Sequence, residues 1–371
     1  MKILADRNMV GVDELFAGLG EVETFEGREL RDVGDADILL VRSVTRVDES
    51  LLGDRRPRFV GTATSGYDHV DREFLAGQGI PFAHAPGSNA DSVVDYVLSA
   101  LGHAGDRWEA LLSGEPVGII GYGRIGRRLH ERLARLGIRC LAYDPWLSRE
   151  QWPVLTDLEA VLHCPVLCLH ASLTRETPWP SFHMLDAEQL GQLPPGGILI
   201  NAGRGELIAT GELQALAGQR PDLQLVLDVW ESEPGIDEGL LASCLYGTAH
   251  IAGYSHDGKL RATGMLYEAA CTALGLQGSR DAGTFDPVQV SPPGLSGPDL
   301  LRWLVARVYD IREDDRALRD GGAEGFDRLR REYRRRRELS SLEIADAASL
   351  SPLDLELCRA LGCRLPRPGS V

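Results

Sequence analysis

The chain has 371 residues, of which 43% are apolar and 25% charged. That length exceeds what one hydrophobic core usually organises, so two or three domains are expected, and the composition excludes a disordered chain. The formal charge of 39 − 55 = −16 argues against a sequence-independent grip on nucleic acid or on an anionic membrane surface.

Lys2 and Lys259 are the only lysines, so nearly all basic charge is arginine. This reads as compositional bias or as adaptation to a salty cytoplasm. Cys140, Cys164, Cys168, Cys244, Cys271, Cys358 and Cys363 form no C-x-x-C spacing, which suits a reduced, cytoplasmic protein without a metal site. Cys164 and Cys168 lie in the apolar run from His163 to Leu169, where a buried strand explains them. The polar start after Met1 has no signal-peptide character, and no apolar run nears the ~18 residues of a membrane span.

Short aliphatic runs alternate with helical patterns from the first residues onward: Ile3 to Ala5, Ile38 to Arg42, Phe59 to Thr62, Val117 to Ile120, Cys140 to Tyr143, Val166 to Leu169, Gly197 to Asn201 and Leu225 to Val229. Near-continuous apolar strands separated by helices predict parallel α/β layers. Between Pro86 and Pro116, Val93, Val94, Val97, Leu98 and Leu101 repeat at helical spacing after the candidate N-cap Ser88, as a helix connecting two α/β units would. A second unit runs from Val117 to about Ser255, and a helix over 260–276 returns the chain to the first. Beyond Gly278, turn residues such as Asp286-Pro287 and Ser291-Pro292-Pro293-Gly294 lead into helical patterns at Pro298 to Tyr309, Ala323 to Tyr333 and Pro352 to Leu361, with a strand-like Ser341 to Ala345. A small third α/β domain is expected there. The run Arg330 to Arg337 reads first as a solvated helix face, and secondarily as a grip on a substrate phosphate.

Gly121, Gly123 and Gly126 make a G-x-G-x-x-G pattern between the strand ending at Ile120 and a helix that opens with Arg124 and Ile125. Gly121 permits the tight turn, Gly123 lets the backbone approach a pyrophosphate, and Gly126 lets helix and strand pack closely. Asp144 follows 18 residues after Gly126, where a carboxylate accepts both ribose hydroxyls and repels a 2′-phosphate. The expected cofactor is therefore NAD rather than NADP. Each residue alone has a plainer reading as a turn; together they point to a dinucleotide.

Arg204, Glu233 and His250 fall near the carboxyl ends of successive strands, where ligands gather in open parallel sheets. Arg204, between Gly203 and Gly205, suits a two-pronged hold on a carboxylate. If Glu233 and His250 meet, the carboxylate favours the imidazolium and makes a proton shuttle near neutrality. Hydride transfer from a 2-hydroxy acid to nicotinamide requires these parts.

Gly121 to Gly126, Asp144, Asn201 to Gly205, Asp228 to Pro234 and His250 to Tyr254 resemble the D-isomer-specific 2-hydroxyacid dehydrogenase family. Val41 to Thr45, Phe59 to His69, Ala85 to Ala90, His250 to Ser255 and Val308 to Asp315 are most similar to one branch of it. That branch oxidises 4-phosphoerythronate with NAD to 2-oxo-3-hydroxy-4-phosphobutanoate, a step in pyridoxal phosphate synthesis. The resemblance implies a flavodoxin-like substrate domain over 1–92 and 260–285, a Rossmann-type NAD domain over 93–259, and a C-terminal α/β domain over 286–371 through which two copies pair. It implies Arg204, Glu233 and His250 as catalytic, and Ser43, Thr64 and Tyr254 as substrate contacts. Gly121, Gly123, Arg124, Ile125, Gly126, Asp144, Ala202, Gly203, Arg204, Asp228 and Gly253 fall to the cofactor. Ser43, Thr64 and Asp228 rest on the resemblance alone. Two departures stand out: Ala171-Ser172 replaces the Thr-Pro usual after His170, removing a hydroxyl from the cofactor side, and Tyr67 replaces a smaller residue in the substrate loop. Other members acting on 3-phosphoglycerate or hydroxypyruvate, and a non-enzymatic NAD-sensing corepressor on the same scaffold, are the competing readings.

Overall fold

The computed structural model describes residues 1–278 and 285–366. The chain divides into two units, residues 1–89 with 255–286, and residues 90–254 with 287–371.

In the first unit, strands β1 (Lys2–Asp6), β2 (Glu21–Phe25), β3 (Ile38–Val41), β4 (Phe59–Thr62) and β5 (Phe82–His84) form a wholly parallel sheet in the order β2-β1-β3-β4-β5. This is the flavodoxin-like order, as expected. All four residues of β3 are buried because both faces are covered, one with Phe16, Leu266 and Tyr267 and the other with Leu52 and Leu75. Each fully buried leucine contributes roughly 1.5–3 kcal/mol. The returning helix His256–Leu274 starts where Ser255 Oγ accepts from Gly258 N (2.9 Å) and stops at Gly275, whose φ of 66° a side chain would disfavour. Strand β2 escapes sequence reading because it is a charged, mostly exposed edge strand. Short β5 has no aliphatic run at all.

The second unit holds β6 (Val117–Ile120), β7 (Cys140–Tyr143), β8 (Val166–Leu169), β9 (Ile198–Asn201), β10 (Gln224–Leu227) and β11 (Tyr246–Gly247), parallel in the order β11-β10-β9-β8-β6-β7. From β6 the chain goes out to β7 on one side and then crosses to β8 on the other. That reversal opens a crevice at the carboxyl ends of β6 and β8.

The helix Ala90–Gly102 is buried on nearly every side, beyond its aliphatic face. Its polar residues are paired instead of solvated: Ser92 Oγ donates to Ala252 O (3.0 Å), Ser99 Oγ to Tyr309 O (3.0 Å), and Tyr96 OH meets Thr248 Oγ1 (3.0 Å). Much of the covering comes from the C-terminal segment, whose Leu300, Leu301, Leu304 and Val305 share a core with Val97 and Leu101. There β12 (Val288–Val290) and β13 (Leu342–Ile344) form a two-stranded parallel pair. The stretch Ile311–Arg331 is two helices broken at Gly322 (φ 55°, ψ −162°), so the helix expected from Ala323 does begin there, and a further helix precedes it from Ile311. Arg336 departs from the reading of its run as a solvated face. It is 2% exposed, lies 3.7 Å from the centre of the Tyr309 ring, and donates to Ser92 O (2.5 Å) and Ala252 O (3.3 Å).

Candidate active site

At the β6 turn the glycines are set by contact. A side chain on Gly121 (φ 92°) would place Cβ 2.3 Å from Ala171 N, and one on Gly126 would place it 2.1 Å from Gly121 O. Gly123, by contrast, has nothing within 4 Å of where its Cβ would stand, and it caps the helix Arg124–Arg135, whose first residues are Arg124 and Ile125. Open backbone at a helix N-terminus is the arrangement that receives a pyrophosphate. Asp144, just past β7, has Oδ2 accepting from Tyr122 N (2.9 Å) and Oδ1 from Trp146 N (3.1 Å). These bonds fix its carboxylate and leave further lone pairs for hydroxyls.

A cavity of about 350 Å³ follows, lined by Gly121, Asp144, Trp146, His170, Ala171 and Trp179 among others. His170 is buried with neither ring nitrogen paired, and burial lowers its pKa to about 4. A neutral imidazole with an unused donor and acceptor on this wall, beside the open Gly123, fits a polar cofactor. Ala171 offers backbone only.

Past β9, Asn201 shapes the arginine loop: its Oδ1 accepts from Gly203 N and its Nδ2 donates to Arg204 O, both 3.1 Å. Ala202 and Gly203 are buried, while Arg204 is half-buried with Nη1 on Gly203 O (2.8 Å). Gly205 admits no side chain, since a Cβ would lie 2.1 Å from the Trp230 carbonyl carbon.

Glu233 and His250 do meet. Glu233 Oε1 accepts from Trp230 N (2.9 Å), and His250 Nδ1 donates to Oε2 at 2.7 Å. The other ring nitrogen, Nε2, is the one left for proton exchange. His250 has a φ of 53°, a left-handed conformation costing roughly 1–2 kcal/mol in a residue with a Cβ. Asp228 holds it there. Its buried carboxylate accepts from Thr248 Oγ1 (2.7 Å), Ile251 N (2.8 Å) and Ala252 N (2.9 Å), and its carbonyl from His250 N (2.7 Å). Burial raises the Asp228 pKa, against the His250 charge and these hydrogen bonds. Gly253 and Tyr254 continue the loop, and the Tyr254 ring meets Tyr333 edge-on at 5.6 Å.

Ser43 and Thr64 belong to the first unit, and Arg204, Glu233, His250 and Tyr254 to the second. Ser43 is exposed just beyond β3. Thr64 Oγ1 donates to Gly66 O (2.7 Å) and meets Thr62 Oγ1 (2.8 Å), which also bonds His69 Nε2 (2.8 Å). The Tyr67 ring fits this loop by packing edge-on against His84 (4.9 Å) under the Arg72 guanidinium (4.8 Å). Lys259, in the same unit, has its pKa lowered to about 8 by burial and by the charge of Arg42.

Residues 103–252 match the NAD binding domain of D-isomer specific 2-hydroxyacid dehydrogenases, and residues 288–362 match a domain of unknown function. The erythronate-4-phosphate dehydrogenase of Cellvibrio japonicus is 44% identical over 361 residues, covering 93% of this chain and 94% of that protein. This chain belongs to the erythronate-4-phosphate dehydrogenase family. The enzyme of that name from Stutzerimonas stutzeri is 41% identical, with 99% of this chain and 100% of the relative aligned. Among solved structures, NAD⁺-bound 3-phosphoglycerate dehydrogenase of Entamoeba histolytica superposes with a TM-score of 0.58 at 25% identity, covering 73% of this chain and 93% of the other. The NAD-complexed D-isomer specific 2-hydroxyacid dehydrogenase of Lactobacillus delbrueckii shares the fold at a TM-score of 0.61 and 19% identity, covering 75% of this chain and 98% of the other. The cofactor of this family's dinucleotide domain is NAD.

The sequence did not single out Arg330 by itself. Its Nη1 lies 3.8 Å from Glu233 Oε2, and its Nη2 donates to the Tyr254 hydroxyl at 3.5 Å. Only its place in an arginine run marked it.

Proposed function

We propose that the protein oxidises 4-phosphoerythronate at C2 to 2-oxo-3-hydroxy-4-phosphobutanoate, on the way to pyridoxal phosphate. The observation that carries this reading is the 2.7 Å bond between His250 Nδ1 and Glu233 Oε2, which fixes the tautomer and leaves Nε2 as a base. Bound NAD supplies the acceptor for the C2 hydride. The Gly121–Gly126 turn and Asp144 hold that cofactor, and His170 lines its pocket. Arg204 turns its guanidinium from its own backbone to the substrate carboxylate and polarises the C2 oxygen. As the hydride leaves C2, His250 Nε2 takes the hydroxyl proton, and Glu233 stabilises the resulting imidazolium. Ser43, Thr64 and Tyr254 contact the remainder of the substrate.

The C-terminal segment pairs two copies, a role supported by family resemblance and by Leu353, which is 70% exposed on the helix Pro352–Leu361. Sedimentation equilibrium checks it. Seven unpaired, buried thiols support a cytoplasmic location.

The decisive experiment measures NADH formation with 4-phosphoerythronate, 3-phosphoglycerate and erythronate, with and without a 2-oxo acid to reoxidise bound cofactor. The highest kcat/KM is expected for 4-phosphoerythronate. Equal rates with erythronate would show that the phosphate is not recognised, and no turnover of any phosphorylated hydroxy acid would sink the enzyme reading.

A further inference from the structure

The segment matching a domain of unknown function reaches the catalytic pair of its own chain. Of the two helices that meet at Gly322 within Ile311–Arg331, the first is pinned to the second unit's sheet edge: Asp315 Oδ1 accepts from Gly247 N in β11 (2.8 Å), and Arg319 donates to Leu241 O and Cys244 O (both 3.0 Å). Buried Phe326 lies in the second, with the Arg330 guanidinium 5.8 Å from the ring centre. Phe326 in turn seats the second helix, which places Arg330 beside the pair. There Nη1 shares Glu233 Oε2 with His250 Nδ1, and Nη2 meets the Tyr254 hydroxyl. Tyr333, held by its own hydroxyl on Asp314 Oδ2 (2.7 Å), packs against the same Tyr254 ring. Two residues of the C-terminal segment thus brace the loop that carries His250.

We infer that Arg330 is a positioning residue of the active site, which orients Tyr254 and offsets part of the Glu233 charge that His250 experiences. A carboxylate 2.7 Å from an imidazole, unopposed, holds the proton on the ring. An imidazole that stays protonated cannot accept the substrate hydroxyl proton. A guanidinium on the same carboxylate oxygen weakens that hold, while Glu233 still fixes the tautomer. Among the described residues, Asp228 feels the charge of His250, and Arg330 feels those of Tyr254, Glu233 and Asp228. Burial works against the Arg330 charge, and Tyr254, Glu233 and Asp228 outweigh it, so the guanidinium stays ionised.

This inference rests on His250 acting as the base, and its test separates the two claims. The variants are Arg330→Gln, Arg330→Met and Arg330→Lys. The readouts are kcat/KM against pH for 4-phosphoerythronate oxidation, NADH affinity as a check on folding, and NMR titration of the ring-labelled His250 signal, assigned with His250→Asn. Removing the cation favours the imidazolium, so in either neutral variant the acid limb of the profile and the His250 titration both move up by about one unit. kcat falls by up to about tenfold on the acid side of the limb and by less near neutrality, with NADH affinity retained. Arg330→Lys keeps the charge and returns the limb to its wild-type position. An unmoved limb and titration in a neutral variant would overturn the inference, as would a lysine variant shifted as far as glutamine. If the wild type turns over no substrate, the proposed activity fails while the His250 titration still decides the role of Arg330.

Discussion

The backbone N–H of His250 donates to the carbonyl of Asp228 at 2.7 Å, while the Asp228 carboxylate takes the N–H groups of Ile251 and Ala252. One buried residue at the end of β10 therefore sets the backbone of the whole loop that carries the proposed base. Asp228→Asn keeps an oxygen for Thr248 and Ile251 but turns an amide N–H toward that of Ala252. An unsatisfied buried donor costs about 1–3 kcal/mol. The variant is expected to unfold at lower urea and to lose kcat about tenfold as His250 drifts. Unchanged urea midpoint and unchanged kcat together would show that the carboxylate does not hold the loop.

His250→Asn is the cleanest removal of the proposed base, because asparagine tolerates the left-handed conformation that His250 adopts. Alanine would add backbone strain to the lost chemistry. We expect kcat to fall by about 10²–10⁴-fold, with NADH affinity close to that of the wild type, since the dinucleotide cavity lies at β6 to β8. Retained turnover would remove His250 from the mechanism.

Much of the architecture was legible in the sequence for a physical reason. Strands covered on both faces must be continuously apolar, and those around Ile38, Val117, Val166 and Ile198 are. The glycine fingerprint was legible because Gly121 and Gly126 answer to contacts, with Ala171 and with the Gly121 carbonyl, while Gly123 leaves the helix N-terminus open. Strand β2 was not, because edge strands carry charge. Arg330 and Arg336 were not, because their partners lie far along the chain: Glu233 and Tyr254 for one, Ser92, Ala252 and the Tyr309 ring for the other. A run of arginines looks the same in sequence whether it is solvated or buried.

Cofactor choice is expected to turn on Asp144. Its carboxylate is fixed by Tyr122 N and Trp146 N, so it presents its remaining lone pairs to a ribose and a negative charge to a 2′-phosphate. Asp144→Asn keeps one acceptor oxygen and removes the charge. The ratio of NADPH to NADH affinity should rise about tenfold or more, with NADH itself weakened. Trp146 and Trp179 line the cavity, so quenching of tryptophan emission by the reduced nicotinamide reads both affinities. An unchanged ratio would place the discriminating charge elsewhere.

The pH dependence of stability is expected to carry a signature of Asp95, buried in the helix Ala90–Gly102. Its Oδ2 accepts from Leu339 N (2.9 Å), while Oδ1 has no partner. Burial raises its pKa to about 7, with Glu338 adding and Arg132 and Arg336 opposing. A carboxyl whose folded pKa lies above its unfolded value binds more protons in the native state between the two. Stability from that proton is therefore present at acid pH and lost as pH rises from about 4 to about 7. Asp95→Asn keeps an acceptor for Leu339 N and has no charge to desolvate. Arg132 remains paired with Asp91 at 2.9 Å, and Arg336 remains on Tyr309. The variant's Tm should gain on the wild type as pH rises toward about 7 and hold that advantage above it. Thermal unfolding of both proteins across that range measures the difference, and a difference independent of pH would mean that Asp95 is ionised throughout.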